Sequence, residues 1–164
     1  MTDASCRPLP FWKRKRLEEM TEEEWESLCD GCGRCCLEKV GADDAQETFA
    51  LDIACNLLDI HKGRCGDYAN RLDRHVGCFQ FSPETIDRMG VVPETCAYDR
   101  VRKGKDLAWW HPLISGRPDT VHEAGISVRG RAIPGRLAGR WEFHSVTWPA
   151  QDPVQAWMRA RFGG

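Results

Sequence analysis

The sequence lacks any apolar stretch long enough to cross a membrane. A spanning helix needs roughly 18 or more consecutive apolar residues, and no uninterrupted apolar run in this 164-residue chain approaches that length. The N-terminal segment also has no apolar core of the kind that secretory signal peptides contain. We therefore expect a cytoplasmic protein with no membrane partner.

The sequence also lacks a strong charge of either sign. Lys and Arg total 23 and Asp and Glu total 25, so the net charge is −2. Nucleic-acid binding favours a strongly basic surface, and nothing in this balance indicates such a partner. With 41% hydrophobic and 29% charged residues, the composition is typical of a folded protein. The length predicts a single domain over residues 1–164.

Familiar catalytic motifs are absent as well. The chain has no glycine-rich phosphate loop, no GxSxG motif and no pair of histidines at metal-ligand spacing among its five. We interpret these histidines as structural, and the WWHP stretch that contains His111 as more typical of a packed core than of a binding surface. Enzymatic activity is left undecided, and the absence of a substrate-site motif favours a binding module.

Cysteine is abundant by contrast. Four of the nine cysteines lie in the eight residues CDGCGRCC at positions 29–36, here called the cysteine loop. Eight residues leave little room for two unstrained disulfides, and a reducing cytosol keeps such thiols free. Closely spaced cysteines therefore indicate metal ligands or redox groups. Cys6 lies far from the others and is predicted to be a free thiol.

Local patterns place the cysteines on predicted elements. Thr21 and Glu24 form a capping box, which predicts a helix that runs into Cys29. Alternating apolar residues over 49–57 predict a strand with Cys55 on its buried face. A second helix is predicted over 93–104 with Cys96 in its first turn, and Ile126 and Val128 suggest a further strand.

Spacing identifies the candidate metal ligands. Zinc prefers four soft ligands, and Cys29-x-x-Cys32 supplies two of them from one turn. The overlapping Cys32-x-x-Cys35 pair, Cys36 and the later single cysteines raise the total to eight. That number fits two four-thiolate sites, or one such site together with a redox or spare set of thiols. The predicted metal ligands are Cys29, Cys32, Cys35, Cys36, Cys55, Cys65, Cys78 and Cys96.

The identity of the metal stays open at this stage. Three cysteines at Cys29-x-x-Cys32-x-x-Cys35 also match the spacing that holds a [4Fe–4S] cluster with a remote fourth ligand. Zinc and iron–sulfur clusters both take four thiolates, so the donors do not separate them. We therefore expect zinc or iron as cofactor, a [4Fe–4S] cluster included, with the metal ion as the main partner and a protein partner left open.

Two other functions remain alternatives. One is a metal-dependent enzyme that performs redox chemistry or modifies a macromolecule. The other is thiol–disulfide exchange, for which a CxxC pair is expected to follow a strand and open a helix. Here the CxxC pair follows a predicted helix and belongs to a larger cysteine set, which favours metal binding.

These residues resemble a known family. CDGCGRCC, Cys55-x-Leu57-Leu58, Cys65-x-x-Tyr68, Thr95-Cys96 and GKDLAWWHPLISG are similar to the YcgN-like cysteine cluster proteins, within the bacterial CxxCxxCC group of zinc- or iron-chelating proteins. The likeness covers about residues 11–131, and Leu72 stands where the wider group has proline. It implies that the seven cysteines from Cys29 to Cys78 match the wider group and that Cys96 matches the narrower family.

The expected fold is a small, irregular α+β domain. Short helices and a few strands would be organised around a cysteine metal site, with the N-terminal helix packed across it. The resemblance implies a bacterial cytoplasmic metal-binding protein and supplies no reaction.

Overall fold

Short helices and short strands follow one another along the chain. The computed structural model describes residues 8–41, 48–86 and 92–144. The α-helices are α1 (Phe11–Arg14), α2 (Glu22–Ser27), α3 (Arg71–Arg74), α4 (Ala97–Arg102), α5 (Pro112–Ser115) and α6 (Thr120–Glu123). The strands are β1 (Leu37–Gly41), β2 (Thr48–Ala54), β3 (Leu58–Asp59), β4 (Arg64–Cys65) and β5 (Ile133–Pro134). The predicted α+β class is confirmed.

Two small sheets connect these strands. β1 pairs antiparallel with β2, and β5 joins the other edge of β2 in parallel. β3 and β4 form a separate antiparallel hairpin. Strands this short expose much of their backbone unless loops and helices pack against them, so the fold depends on contacts between distant segments. Single 3₁₀ turns occur at Leu17–Glu19, Arg34–Cys36, Gly135–Leu137 and Trp141–Phe143.

The predicted first helix is confirmed. Thr21 caps α2 by accepting a hydrogen bond from the Glu24 amide at 3.2 Å, and the Glu24 carboxylate accepts one from the Thr21 amide at 2.9 Å. Trp25 and Leu28 are buried on its apolar face. Leu17 lies outside the helix, in the preceding 3₁₀ turn, although it packs against the same apolar cluster.

Other local predictions need correction. β2 ends at Ala54, so Cys55 lies just beyond the strand and is half-buried. α4 begins at Ala97, and Cys96 is its N-cap residue instead of lying in the first turn. Ile126 and Val128 are fully buried, but they form bends and turns instead of a strand. Tertiary packing rather than period-two pairing explains their apolar character.

The apolar core is divided into four clusters among the described residues. The largest joins α2 to α4, where the Trp25 and Tyr98 rings lie 4.7 Å apart. Another lies beneath the β1–β2 pair, and a third contains Trp110, Val121 and Ile126. Leu51 and Ile53 form the fourth with Ala138. No helix in the described ranges has the length and apolar character to span a bilayer.

The GKDLAWWHPLISG stretch contributes core residues, as the sequence indicated. Trp110 and His111 are buried, whereas the Trp109 side chain is partly exposed. One ring nitrogen of His111 contacts the Leu28 carbonyl at 2.9 Å, and the other accepts a hydrogen bond from the Leu113 amide at 3.1 Å. His111 therefore caps α5 and binds the end of α2 at the same time.

His111 should make the stability of the protein depend on pH. Burial lowers the pKa of His111, although the Leu28 hydrogen bond and the Asp30 charge oppose this effect. Unfolded histidine has a pKa of about 6.5, so the unfolded chain binds the extra proton first as the pH falls. The stability that neutral His111 contributes to the folded state is complete above that pH and is lost as the pH falls through the lower folded-state pKa.

We expect urea unfolding of the wild-type protein between pH 8 and 5 to show a falling free energy of unfolding below about pH 6.5. The decline should be shallower in His111→Gln, which cannot titrate at this position. An equal decline in both proteins would contradict the role given to His111.

Candidate metal centre

The cysteine loop starts where α2 ends. Leu28 is the C-cap of α2, and the chain then turns sharply at Gly31 and Gly33, each with a φ of 74°. Non-glycine residues rarely adopt this left-handed conformation. The Asp30 carboxylate accepts a hydrogen bond from the Cys32 amide at 3.0 Å. Backbone geometry therefore curls the loop tightly, and the sulfurs of Cys35 and Cys36 lie 3.9 Å apart within it.

Three later segments of the chain fix the loop. The Trp110 indole donates a hydrogen bond to Asp30 at 3.2 Å, and the Val128 amide donates one to the Cys32 carbonyl at 2.9 Å. The buried Arg34 donates from its guanidinium to the Thr95 hydroxyl at 3.0 Å. These bonds attach the loop to the segment before α4, to the aromatic stretch and to the turn around Val128.

A close backbone approach joins the loop to the β3–β4 hairpin. A Cβ atom added at Gly63 would clash with the Gly31 carbonyl oxygen. A Cβ atom at Gly33 would lie 2.8 Å from a Val128 methyl group and 3.1 Å from the Gly63 carbonyl oxygen. Glycine is required at these positions because the two loops leave no space for a side chain. The hairpin that carries Cys65 is thus held against the cysteine loop.

Cys96 lies near the cysteine loop although it is remote in sequence. Cys29 and Cys96 pack against the same apolar cluster, and the Thr95 hydroxyl next to Cys96 accepts the hydrogen bond from Arg34. We call Cys29, Cys32, Cys35 and Cys96 the first set. Burial raises the pKa of Cys29 to about 11, and the charges of Cys35 and Asp30 add to the increase. Burial also raises the pKa of Cys96 to about 12, and the Cys35 charge again adds to it. The cysteine loop and Cys96 are therefore close to each other in the folded protein.

The two other thiols of this set are also hard to ionise. Burial, followed by the charges of Asp30 and Cys35, raises the pKa of Cys32 well above its usual value. For Cys35 the largest cause of a raised pKa is the contact with the Cys36 sulfur, 3.9 Å away. The isolated protein therefore favours neutral thiols here. A bound cation would reverse that preference, because it stabilises the thiolate form.

The remaining predicted ligands form a second neighbourhood. Burial raises the pKa of Cys55, and the charges of Cys65 and Cys78 raise it further by smaller amounts. Sheet register brings Cys36 and Cys55 together, since Leu37 pairs with Ala54 and the Cys55 amide donates to the Cys36 carbonyl at 2.9 Å. Cys36 thus lies between the two sets.

These neighbourhoods are not closed coordination spheres. Within residues 8–41, 48–86 and 92–144, no group of three or more His, Cys, Asp or Glu side chains is arranged to hold a metal ion. All eight cysteines described are free thiols, and Cys6 lies outside the described residues. The ligand set therefore stays a prediction, supported by the proximity of thiols that are remote in sequence.

Sequence reasoning missed the charged residues of this region. Asp30 and Arg34 lie inside the loop and are both buried. Burial lowers the pKa of Arg34, while the charges of Cys32 and Asp30 raise it. Aspartate often forms a turn by bonding to the backbone amide two residues later, so the position of Asp30 relative to Cys32 could have predicted its role. The pairing of Arg34 with Thr95 had no local signal.

The comparisons with known proteins agree on one family. A UPF0260 protein of Gluconacetobacter diazotrophicus is 53% identical over 144 residues, covering 88% of this chain and 90% of that protein. The chain belongs to the UPF0260 family. A UPF0260 protein of Granulibacter bethesdensis is 51% identical over 153 residues, covering 93% of this chain and 90% of its own.

A third UPF0260 relative, from Sinorhizobium medicae, is 50% identical over 145 residues, covering 87% of this chain and 94% of its own. No family model matches the chain, and no solved structure does. The UPF0260 names come from bacteria and carry no activity, so the function has to be argued from the residues themselves.

The glycine contact gives a direct test of the loop arrangement. We expect Gly63→Ala to lower the free energy of unfolding by about 2–5 kcal/mol, because a left-handed alanine is strained and its Cβ meets the Gly31 carbonyl. Gly104→Ala is the matched control, since Gly104 has a φ of 67° and open space around it.

The control should lose only about 1–2 kcal/mol, the cost of the backbone conformation alone. Urea unfolding followed by tryptophan fluorescence measures both variants. If Gly63→Ala were as stable as Gly104→Ala, the close approach of the two loops would be wrong.

Proposed function

We propose that this UPF0260 protein is a cytoplasmic metal-binding protein that chelates zinc or iron, a [4Fe–4S] cluster included, through its cysteines. The observation that carries the proposal is that Cys96 packs against the same apolar cluster as Cys29 of the cysteine loop, with the charge of Cys35 also acting on it. Structural cysteines are often fully buried as neutral thiols, but only Cys32 of the first set is buried and Cys35 is exposed, which favours binding over packing as their role.

The chemistry of the donors supports a soft metal. Thiolates select zinc, copper(I) and iron–sulfur clusters. Four thiolates and one zinc ion carry a net charge of −2, and the buried Arg34 beside Cys32 would offset part of it. The similarity to YcgN-like cysteine cluster proteins points to the same chemistry.

We assign Cys29, Cys32, Cys35 and Cys96 to a first site. Cys36, Cys55, Cys65 and Cys78 are the donors available for a second. When bound, zinc would supply a structural crosslink, and a cluster would add electron transfer. The protein's own contribution is to hold the thiols near one another, with Cys32 buried, Cys29 and Cys96 partly buried and Cys35 open to solvent.

The experiment is a metal analysis of protein purified without oxygen. Zinc, iron and acid-labile sulfide are measured per chain, and the visible spectrum is recorded. A colourless protein with one or two zinc ions would identify four-thiolate zinc sites. A brown protein with about four irons and four sulfides would identify a [4Fe–4S] cluster.

Substitutions then test the first site. We expect Cys32→Ser and Cys96→Ser each to lose that metal, and the double variant to lose no more than either single one, because both residues serve the same ion or cluster. Cys6→Ser is the control and should keep the wild-type metal content. The stripped wild type should unfold at markedly lower urea, since metal binding adds directly to folding free energy.

Freshly prepared, reductant-treated protein without metal would contradict the proposal. So would equal metal loss in Cys6→Ser and Cys32→Ser. Metal loss in Cys32→Ser that left Cys96→Ser unaffected would refute the assignment of Cys96 to the first site.

A further inference from the structure

A solvent-open cleft lies beside the cysteine loop and is lined in part by Asp30 and Gly31 of that loop. Its volume is about 260 Å³, and its lining includes Gly31, Lys62, Arg64, Asp119, His122 and Arg129. Three of these residues are permanently cationic, and they come from the β3–β4 hairpin and from the turn after α6. We call this the basic cleft.

Arg64 is the central cation of the basic cleft. Its guanidinium lies flat against Gly31, where an added Cβ would be 3.1 Å from one terminal nitrogen. Among the described residues, the Arg64 side chain makes no hydrogen bond and no salt bridge, so its guanidinium donors are available to a ligand in the cleft or to water. An arginine fork without a carboxylate partner is well suited to bind an oxyanion.

The two other cations keep donors available. Arg129 uses its Nε–H to bind the His61 carbonyl, and within the described residues its terminal nitrogens have no partner. The Lys62 Nζ atom lies 3.7 Å from an Asp59 carboxylate oxygen, and the Lys62 side chain is largely exposed. His122 contacts the Ser127 hydroxyl through Nδ1 at 2.6 Å, and its Nε2 has no partner in the described part of the chain.

Acidic groups at the basic cleft compete only in part. Asp30 is buried, and its two oxygens already accept hydrogen bonds from Cys32 and Trp110. Asp119 is exposed and also lines the cleft. Its charge opposes an anion without filling the space between the cations.

We propose that the basic cleft binds the phosphoryl group of a small phosphorylated molecule. Two arginines, a lysine and an imidazole match the charge and the several acceptor oxygens of a phosphate monoester better than those of a single carboxylate. The net charge of −2 argues against a nucleic-acid backbone as the source of the phosphate. This site is independent of the metal, although it shares Gly31 with the cysteine loop.

The competing explanation is that Arg64 only balances charge on the thiols. Its charge does lower the pKa of Cys29, against the larger effect of burial. On that explanation, removal of Arg64 would change the metal content and leave phosphate binding untouched. The two roles are therefore separable by measuring both quantities in the same variants.

Isothermal titration calorimetry of the full chain, with its native metal content and at constant chloride, tests the proposal. Inorganic phosphate and glycerol phosphate are the probes, with acetate and a ten-nucleotide single-stranded DNA as comparisons. We expect saturable phosphate binding with a Kd on the order of 1 mM or tighter. Arg64→Met should weaken it by about tenfold or more, because a charged hydrogen-bond donor is lost.

Three further variants sharpen the result. Lys62→Met, at an exposed residue whose loss should not disturb folding, is expected to weaken binding about threefold, and Asp119→Asn to strengthen it about twofold. Arg140→Met removes an exposed arginine outside the cleft and should leave the affinity unchanged. Metal content and circular dichroism are recorded for every variant.

Four outcomes would overturn the proposal. They are no saturable phosphate binding by the wild type, equal weakening in Arg140→Met, acetate binding as tight as phosphate, and DNA binding tighter per phosphate than glycerol phosphate. If Arg64→Met failed to fold, unchanged affinity in Lys62→Met together with no gain in Asp119→Asn would also overturn it. The outcome of the metal analysis affects none of these measurements.

Discussion

The packing of the cysteine loop is the constraint on which the described structure depends. Cys29 contacts the α2–α4 apolar cluster, Cys32 belongs to the cluster around Trp110, and Cys36 packs against the cluster beneath β1 and β2. The helices in the described parts of the chain are at most six residues long, too short to be stable alone in water. The loop therefore joins three small cores that would each be marginal by themselves, and its glycines set how closely they meet.

Part of this arrangement could be predicted from sequence because its signals are local. The capping box of α2, the glycines of the loop and the alternation of Leu51 and Ile53 each reflect the preferences of neighbouring residues. The α+β class followed from those elements. The predicted strand at Ile126 and Val128 failed because their apolar side chains are buried by turns packed on Cys32, and period two cannot distinguish such burial from a strand.

The candidate site, like the fold, could be predicted from the sequence only where its signals are local. Spacing predicted the first three loop cysteines as ligands of one metal, and Cys96 was included only through the cysteine count and its predicted helix, a choice with which the family likeness agreed. No local pattern indicated that Arg34 would reach Thr95 or that Arg64 would lie on Gly31, because both contacts depend on how distant loops pack. The buried charges of Asp30 and Arg34 lie next to thiols whose pKa is raised. Folding alone does not favour buried charges, and such departures from local rules are typical of functional sites.

The bonds that fix the loop have a consequence for how the protein is made. Arg34 and Thr95 are 61 residues apart, and Asp30 and Trp110 are 80 residues apart. Synthesis proceeds from the N-terminus, so the ribosome releases four thiols of the loop well before the segments that fasten them. During that interval the nascent chain presents unprotected sulfur to oxidants and to foreign metals. Translation speed and the redox state of the cell thus bear on the yield of correctly folded protein.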